Sequence, residues 1–132
     1  IHFEKYDDAL ELVNKFLDIS PKNYPLSVSK SKLLLVLEKY FESEEIIRDQ
    51  LLSKNDNPEL WLLLSEIQRS SKNIVGYHQS RAEYFILLGQ NEKALNQLEF
   101  ALKLTGKNFQ ASERIMSKII KIKEDMKSSR GL

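Results

Sequence analysis

The sequence predicts an all-α fold, and three observations support that prediction. The 132 residues are rich in Leu, Lys and Glu and include only four Gly and three Pro, which leaves little material for sheets and long loops. Apolar residues recur at helical spacing in several stretches. Residues 81–104 read as a helical hairpin with Gly89 at its turn. At this length we expect one domain with a sizeable core.

The first helix is predicted over residues 7–19. Two aspartates suit its N-terminus, where the helix dipole favours negative charge, and Ser20 and Pro21 end it. Its predicted apolar face holds Ala9, Leu10, Val13, Phe16 and Leu17.

The second and third helices are predicted to meet at an aromatic corner. Pro25 suits the first turn of a helix that runs to about Leu37, and Tyr40–Phe41 marks the corner after it. The third helix is predicted over 43–53 because residues 54–57 form a cluster of turn-forming side chains.

Caps and turns delimit the next three helices. Asn57 is a good N-cap, so the fourth helix is predicted to begin at Pro58 and to end before residue 70. The fifth helix is predicted over 74–88 and the sixth over 92–104.

A long seventh helix completes the predicted domain. It follows a C-cap at Gly106 and an N-cap at Asn108, and its narrow apolar stripe is typical of a terminal capping helix. The helical domain is therefore predicted to span 1–127, with a disordered tail over 128–132.

The helices also show an internal repeat. Ala9 and Ser43 lie 34 residues apart and each follows a Tyr by three positions, while Ser65 and Ala82 are separated by the half period of 17 residues. Small side chains at such positions let two helix backbones approach closely. The positions that carry the repeat are Ala9, Ser43, Trp61, Ser65, Ala82, Phe85, Gly89, Ala94, Leu98 and Ala101.

This pattern resembles the tetratricopeptide repeat (TPR), a 34-residue helix-turn-helix unit. The stretch WLLLSEI matches its first helix, and LGQNEKALNQLEFAL matches its turn and second helix. Asn91 stands where the family usually has an aromatic residue, Gly106 stands where it has Pro, and a half-period step falls near Asn73. The resemblance implies a TPR-like solenoid of about seven helices, and it places Trp61 in the core.

A TPR stack usually binds its partner on the face lined by first helices. The helical phase set by Trp61 assigns to that face Glu59, Leu62, Glu66, Arg69, Gln79, Glu83 and Ile86. This mixture of apolar and acidic side chains suits a peptide or helix as partner. It lacks the Lys and Asn residues with which some TPR domains clamp a C-terminal carboxylate.

A finer resemblance covers roughly residues 58–126. The stretch HQSRAEYFILLGQNEKALNQLEFALKL, followed by a long basic helix, is similar to the C-terminal TPR region of BepA-like bacterial zinc metalloproteases. That family implies a periplasmic module that recruits substrate or outer-membrane assembly machinery beside an upstream protease domain. The alternative is a stand-alone adaptor or scaffold with no attached enzyme, which would be cytoplasmic.

No catalytic or metal site is expected within this chain. The zinc of the metalloprotease family is held by an HExxH motif in the upstream domain, and that motif does not occur here. His2 and His78 are the only histidines and there is no cysteine, whereas a zinc site takes three or four ligands. We therefore expect a structural or surface role for His78.

Charge and hydropathy argue against nucleic acid and membrane as partners. Twenty Lys and Arg are interspersed with nineteen Asp and Glu, for a formal net charge of +1. The longest apolar run covers only residues 33–37, so no membrane insertion is expected. Because the chain starts at Ile1 without a leader, we expect it to be a piece of a longer protein.

Overall fold

A computed structural model describes residues 4–130, which are mostly α-helical and contain no strand. The helices are α1 (Glu4–Ile19), α2 (Tyr24–Val36), α3 (Tyr40–Ser53), α4 (Pro58–Ser70), α5 (Ile74–Leu87), α6 (Asn91–Leu104) and α7 (Phe109–Arg130). Each helix packs most extensively on the helices before and after it in the chain. The predicted all-α fold of successive helical hairpins is confirmed.

Three element boundaries differ from the prediction by three residues. Helix α1 begins at Glu4, three residues early. Tyr40–Phe41 lies in the first turn of α3 and not in a corner, because Glu38, with φ of 62°, turns the chain before it. Helix α7 continues to Arg130, with basic side chains in its last turn that suit the helix dipole, so residues 128–130 are helical and not a disordered tail. Residues 131–132 of that predicted tail lie outside the described residues.

Helices α2 and α3 meet through two serines twelve positions apart. The hydroxyl oxygens of Ser31 and Ser43 lie 2.9 Å from each other, and the Ser43 hydroxyl donates to the Ser31 carbonyl at 2.8 Å. Both residues are fully buried. Side chains of this size allow the two backbones to approach while their polar atoms bond across the interface.

The same twelve-residue separation recurs between α4 and α5 and between α5 and α6. Gln68 of α4 lies 2.6 Å from the Ser80 hydroxyl of α5. Ala82 of α5 and Ala94 of α6 are both fully buried in one core cluster. A small or polar pair therefore marks three of the helix interfaces at a fixed separation in the sequence.

Gln68 is buried at the α4–α5 interface and bonds to the neighbouring helix. With its amide oriented to satisfy its neighbours, its nitrogen donates to the Gly76 carbonyl at 2.9 Å and to the Ser80 hydroxyl at 2.6 Å. A Cβ on Gly76 would lie 2.6 Å from this amide and 2.5 Å from that of Asn73. Gly76 is thus required by close packing.

Two apolar clusters lie on either side of this polar contact. The first combines α3 and α4, through Ile47, Leu51, Leu60, Leu63, Leu64 and Ile67. The second combines α5, α6 and α7, through Ala82, Ala94, Leu98, Ala101, Ile115, Ile119 and Ile122. The buried residues of neither cluster cross the α4–α5 interface, so Gln68, Gly76 and Ser80 sit where the two cores join.

Several predicted core positions are less buried than expected. Helix α1 has no buried residue, and Phe16 is 51% exposed, because this helix packs chiefly on α2. Trp61 is half-buried; its ring packs on the first cluster while its Nε1 donates to the Asn55 carbonyl at 2.8 Å. Ala9 and Phe85 are also half-buried, whereas Ser43, Ser65, Ala82, Ala94, Leu98 and Ala101 are buried.

The backbone conformation at the helix ends follows the same period as the sequence repeat. Within residues 4–130, positive φ occurs just past a helix at Glu38, Lys72, Gly89 and Gly106. The last three follow each other at intervals of 17 residues, and the first precedes Lys72 by 34. At Lys72 the amide N–H donates to the Arg69 carbonyl and the Asn73 N–H donates to the Gln68 carbonyl, which is a Schellman motif.

We predict that Ala94→Leu destabilises the protein by about 1 to 3 kcal/mol, because the larger side chain overpacks a fully buried contact. Thermal melting followed by circular dichroism measures the effect. Asn96→Leu, at an exposed position of the same helix, is the matched control. An unchanged melting midpoint for Ala94→Leu contradicts close packing at this site.

We predict that Lys72→Gly stabilises the protein by about 0.5 to 1 kcal/mol, because Gly adopts the left-handed conformation without steric cost. Urea unfolding gives the free-energy difference. Lys121→Gly, at an exposed position inside α7, is the control and is expected to destabilise by about 1 kcal/mol. Equal destabilisation by both substitutions contradicts the assigned turn geometry.

Candidate functional site

A cavity of about 250 Å³ opens where α3, α4 and α5 meet, with α6 and α7 at its far side. It is lined by Arg48, Trp61, Leu64, Gln68, Gly76, Gln79, Ser80, Glu83, Leu98 and Ile115. We call it the central cavity. Its wall combines apolar side chains with charged and amide groups, which is typical of sites that recognise an amphipathic ligand.

The structure brings only part of the predicted binding face to this cavity. Gln79 and Glu83 line it, while Ile86 packs against the C-terminal apolar cluster. The α4 members of the predicted face do not line it, and these are Glu59, Leu62, Glu66 and Arg69. Helix α4 presents Trp61 and Gln68 to the cavity instead. Leu62 and Arg69 each follow one of these residues by one position, which is a rotation of about 100° around the helix, so they face elsewhere.

Charged groups at the central cavity are paired within the chain. Glu83 of α5 lies 3.2 Å from Lys118 of α7, and their side chains are 28% and 38% exposed. Arg48 lies 2.6 Å from Glu44 on its own helix, in an i, i+4 pair. A ligand bound in this cavity would therefore contact ion pairs whose charges largely cancel, and not an isolated charge.

His78 lies on another side of α5, where it joins that helix to α6. Its Nδ1 is 2.8 Å from the Gln97 side-chain oxygen, and its ring stacks on Phe100 with centroids 5.5 Å apart. Within residues 4–130, no three His, Asp or Glu side chains are grouped closely enough to hold a metal ion. His2 lies outside the described residues.

Arg81 makes a contact that the sequence pattern did not indicate. Its guanidinium lies 5.3 Å from the ring centroid of Phe85 and 5.6 Å from that of Tyr77, on the same helix. These distances are typical of cation–π interactions, so the Arg81 guanidinium contacts aromatic rings of its own helix. Tyr77 and Phe85 each lie four residues from Arg81, and this spacing was the available signal.

A second and larger cavity lies between α1, α2 and α3. Its volume is about 650 Å³, and it is lined by Asn14, Leu17, Asp18, Pro21, Ser27, Lys30, Leu34, Glu42, Glu45, Ile46 and Asp49. We call it the acidic cavity, since four carboxylates face one lysine. Sequence reasoning missed it, although Glu42, Glu45 and Asp49 share the spacing of one helix face.

The comparisons with known proteins leave the chain without an assigned family. No protein-family model matches it, and no curated protein is significantly similar to it. Among the described helices, none has both the length and the apolar character needed to cross a bilayer. The two cavities and the helical stack are therefore the features that bear on function.

We predict that the Glu83–Lys118 pair contributes only about 0 to 1 kcal/mol, because both side chains remain partly solvated. Urea unfolding of Glu83→Gln, Lys118→Gln and the double variant gives the coupling energy. A coupling above about 2 kcal/mol contradicts a solvated pair that a ligand could open.

Proposed function

We propose that the chain is a protein-interaction module whose helical stack holds a polypeptide partner. The observation that carries this proposal is the central cavity, whose wall is assembled from several successive helices. Because each helix packs chiefly on its chain neighbours, helices further apart in the sequence leave clefts between them. Such clefts are the usual binding surfaces of helical repeat proteins.

The lining of the central cavity supports an amphipathic peptide or helix as partner. Trp61 and Leu64 offer apolar surface, and Gln79 offers an amide that can bond a backbone or side chain. Arg48 and Glu83 at the same cavity can exchange their internal pairs for a charged group of the partner. This combination matches helix-in-groove recognition more closely than anion binding.

The finer proposal is that this module is the C-terminal TPR domain of a periplasmic zinc metalloprotease that acts in outer-membrane protein assembly and quality control. It is supported by the resemblance of residues 58–126 to that region of BepA-like enzymes. The module would raise the local concentration of substrate or assembly machinery beside the upstream, zinc-bearing protease domain. The alternative, a stand-alone adaptor, would use the same cavity in the cytoplasm.

We predict that a photo-crosslinking residue at position 79, in the intact parent protein in cells, traps a defined polypeptide. The same residue at Asn96, exposed on α6, is the matched control and traps none of it. Mass spectrometry identifies the partner. Outer-membrane assembly components support the metalloprotease proposal, whereas cytosolic proteins support the adaptor.

A charge reversal sharpens this test. Glu83→Lys should reduce trapping at position 79, because it removes a carboxylate from the cavity wall. Glu66→Lys, an exposed change of the same charge on α4, should leave trapping unchanged. If position 79 traps no more than position 96, the central cavity is not the binding surface.

A further inference from the structure

The acidic cavity is built from three helices with separate contributions. Helix α2 packs on both α1 and α3 and supplies the floor, through buried Ser27 and Leu34. Helix α1 supplies Asp18 on one wall. Helix α3 supplies the other wall, with Glu42, Glu45 and Asp49 in one stripe around Ile46. The site therefore has a base of one serine and one leucine, with carboxylates on its walls that we call the rim.

The carboxylates of this rim form no ion pair with a described residue. The ion pairs among residues 4–130 join other carboxylates to Arg48, Lys118 and Arg130, and none involves the rim. Lys30 is the single basic residue that lines the cavity. The negative potential of the rim can therefore attract a cationic ligand. The like charges along the α3 stripe repel each other, and a bound cation would relieve that repulsion.

Ser27 is an independent sign of a ligand site. It is only 5% exposed, and it lines the cavity. Its backbone N–H bonds to the Asn23 carbonyl, but its hydroxyl makes no hydrogen bond with a described residue. Within the described chain, every side-chain oxygen or nitrogen that is fully buried has a hydrogen-bond partner. The Ser27 hydroxyl has none, so it must retain some accessible surface. Because Ser27 lines the cavity, that surface faces the cavity. A buried polar group in that position normally has a partner.

We propose that the acidic cavity is a docking site for a basic segment of a protein partner, in which arginine or lysine side chains project from an apolar stretch. Charge complementarity decides the occupant, since four carboxylates and one lysine line the cavity. A long basic side chain can lay its methylene stem on Leu34 and Ile46 while its charged head reaches the rim. The Ser27 hydroxyl accepts a hydrogen bond from the same segment.

The spacing of the α3 stripe defines the partner further. Glu42 and Asp49 are seven residues apart, which is roughly 10 Å along a helix. Two basic side chains separated by two helical turns match that distance. Because the acidic cavity shares no lining residue with the central cavity, this docking site is independent of the proposed function above.

The test uses the full 132-residue chain and a fluorescein-labelled helical peptide of alanine and leucine with two arginines seven positions apart. The control peptide carries citrulline, the neutral isostere, at both positions. Fluorescence anisotropy gives each Kd. We expect the arginine peptide to bind at least about tenfold more tightly, and more weakly as salt rises.

Variants locate the binding. Glu45→Gln with Asp49→Asn should abolish the preference for arginine, whereas Glu99→Gln with Glu124→Gln, an equal charge change at exposed sites elsewhere, should leave it intact. Ser27→Ala should weaken binding by about threefold, as for the loss of one hydrogen bond. Circular dichroism checks that each variant is folded.

Three results would overturn the proposal. The first is equal affinity for the arginine and citrulline peptides. The second is an unchanged preference in the Glu45→Gln, Asp49→Asn variant. The third is displacement of the peptide by calcium chloride at constant ionic strength, which assigns the cavity to a divalent cation instead.

Discussion

The close approach of neighbouring helices at small or hydrogen-bonded residues is the constraint on which the rest of this structure depends. Ser31 with Ser43, and Gln68 with Ser80, join adjacent helices across twelve residues of chain. Buried pairs of this kind oppose a change of register between the two helices. A shift of one residue would separate the polar partners and leave them buried without a hydrogen bond. These contacts therefore fix the register of the α2–α3 and α4–α5 pairs.

The fixed register also explains where the clefts lie. Helices stacked in chain order leave gaps between next-nearest neighbours, and the two cavities occupy such gaps beside α3. The α4–α5 interface has Gln68 and Ser80 in place of a continuous apolar core, so the N-terminal and C-terminal clusters are joined by a polar contact. The mixed lining of the central cavity is a direct consequence, because that contact forms part of its wall.

Much of this fold was predictable from the sequence, and the site was predictable only in part. Helical periodicity with caps such as Asn57 and Gly106 placed all seven helices, because these signals are local. The sequence did not reveal that Glu38 adopts a left-handed turn, since that conformation is usually signalled by Gly. Helical phase alone placed Gln79 and Glu83 on a binding face. The acidic cavity depends on how α1 and α3 both pack on α2, and no local pattern encodes that arrangement of helices.

Disulfide formation between Ser31→Cys and Ser43→Cys reports whether α2 and α3 approach each other as closely as the serine pair indicates. The chain has no cysteine, so the engineered pair reports without background, and the two serine hydroxyl oxygens already lie 2.9 Å apart. We expect rapid, complete intramolecular disulfide bonding under mild oxidation, with none in the Ser31→Cys, Ser53→Cys control. Free thiols that persist in the folded Ser31→Cys, Ser43→Cys protein would rule out this close approach of the two helices.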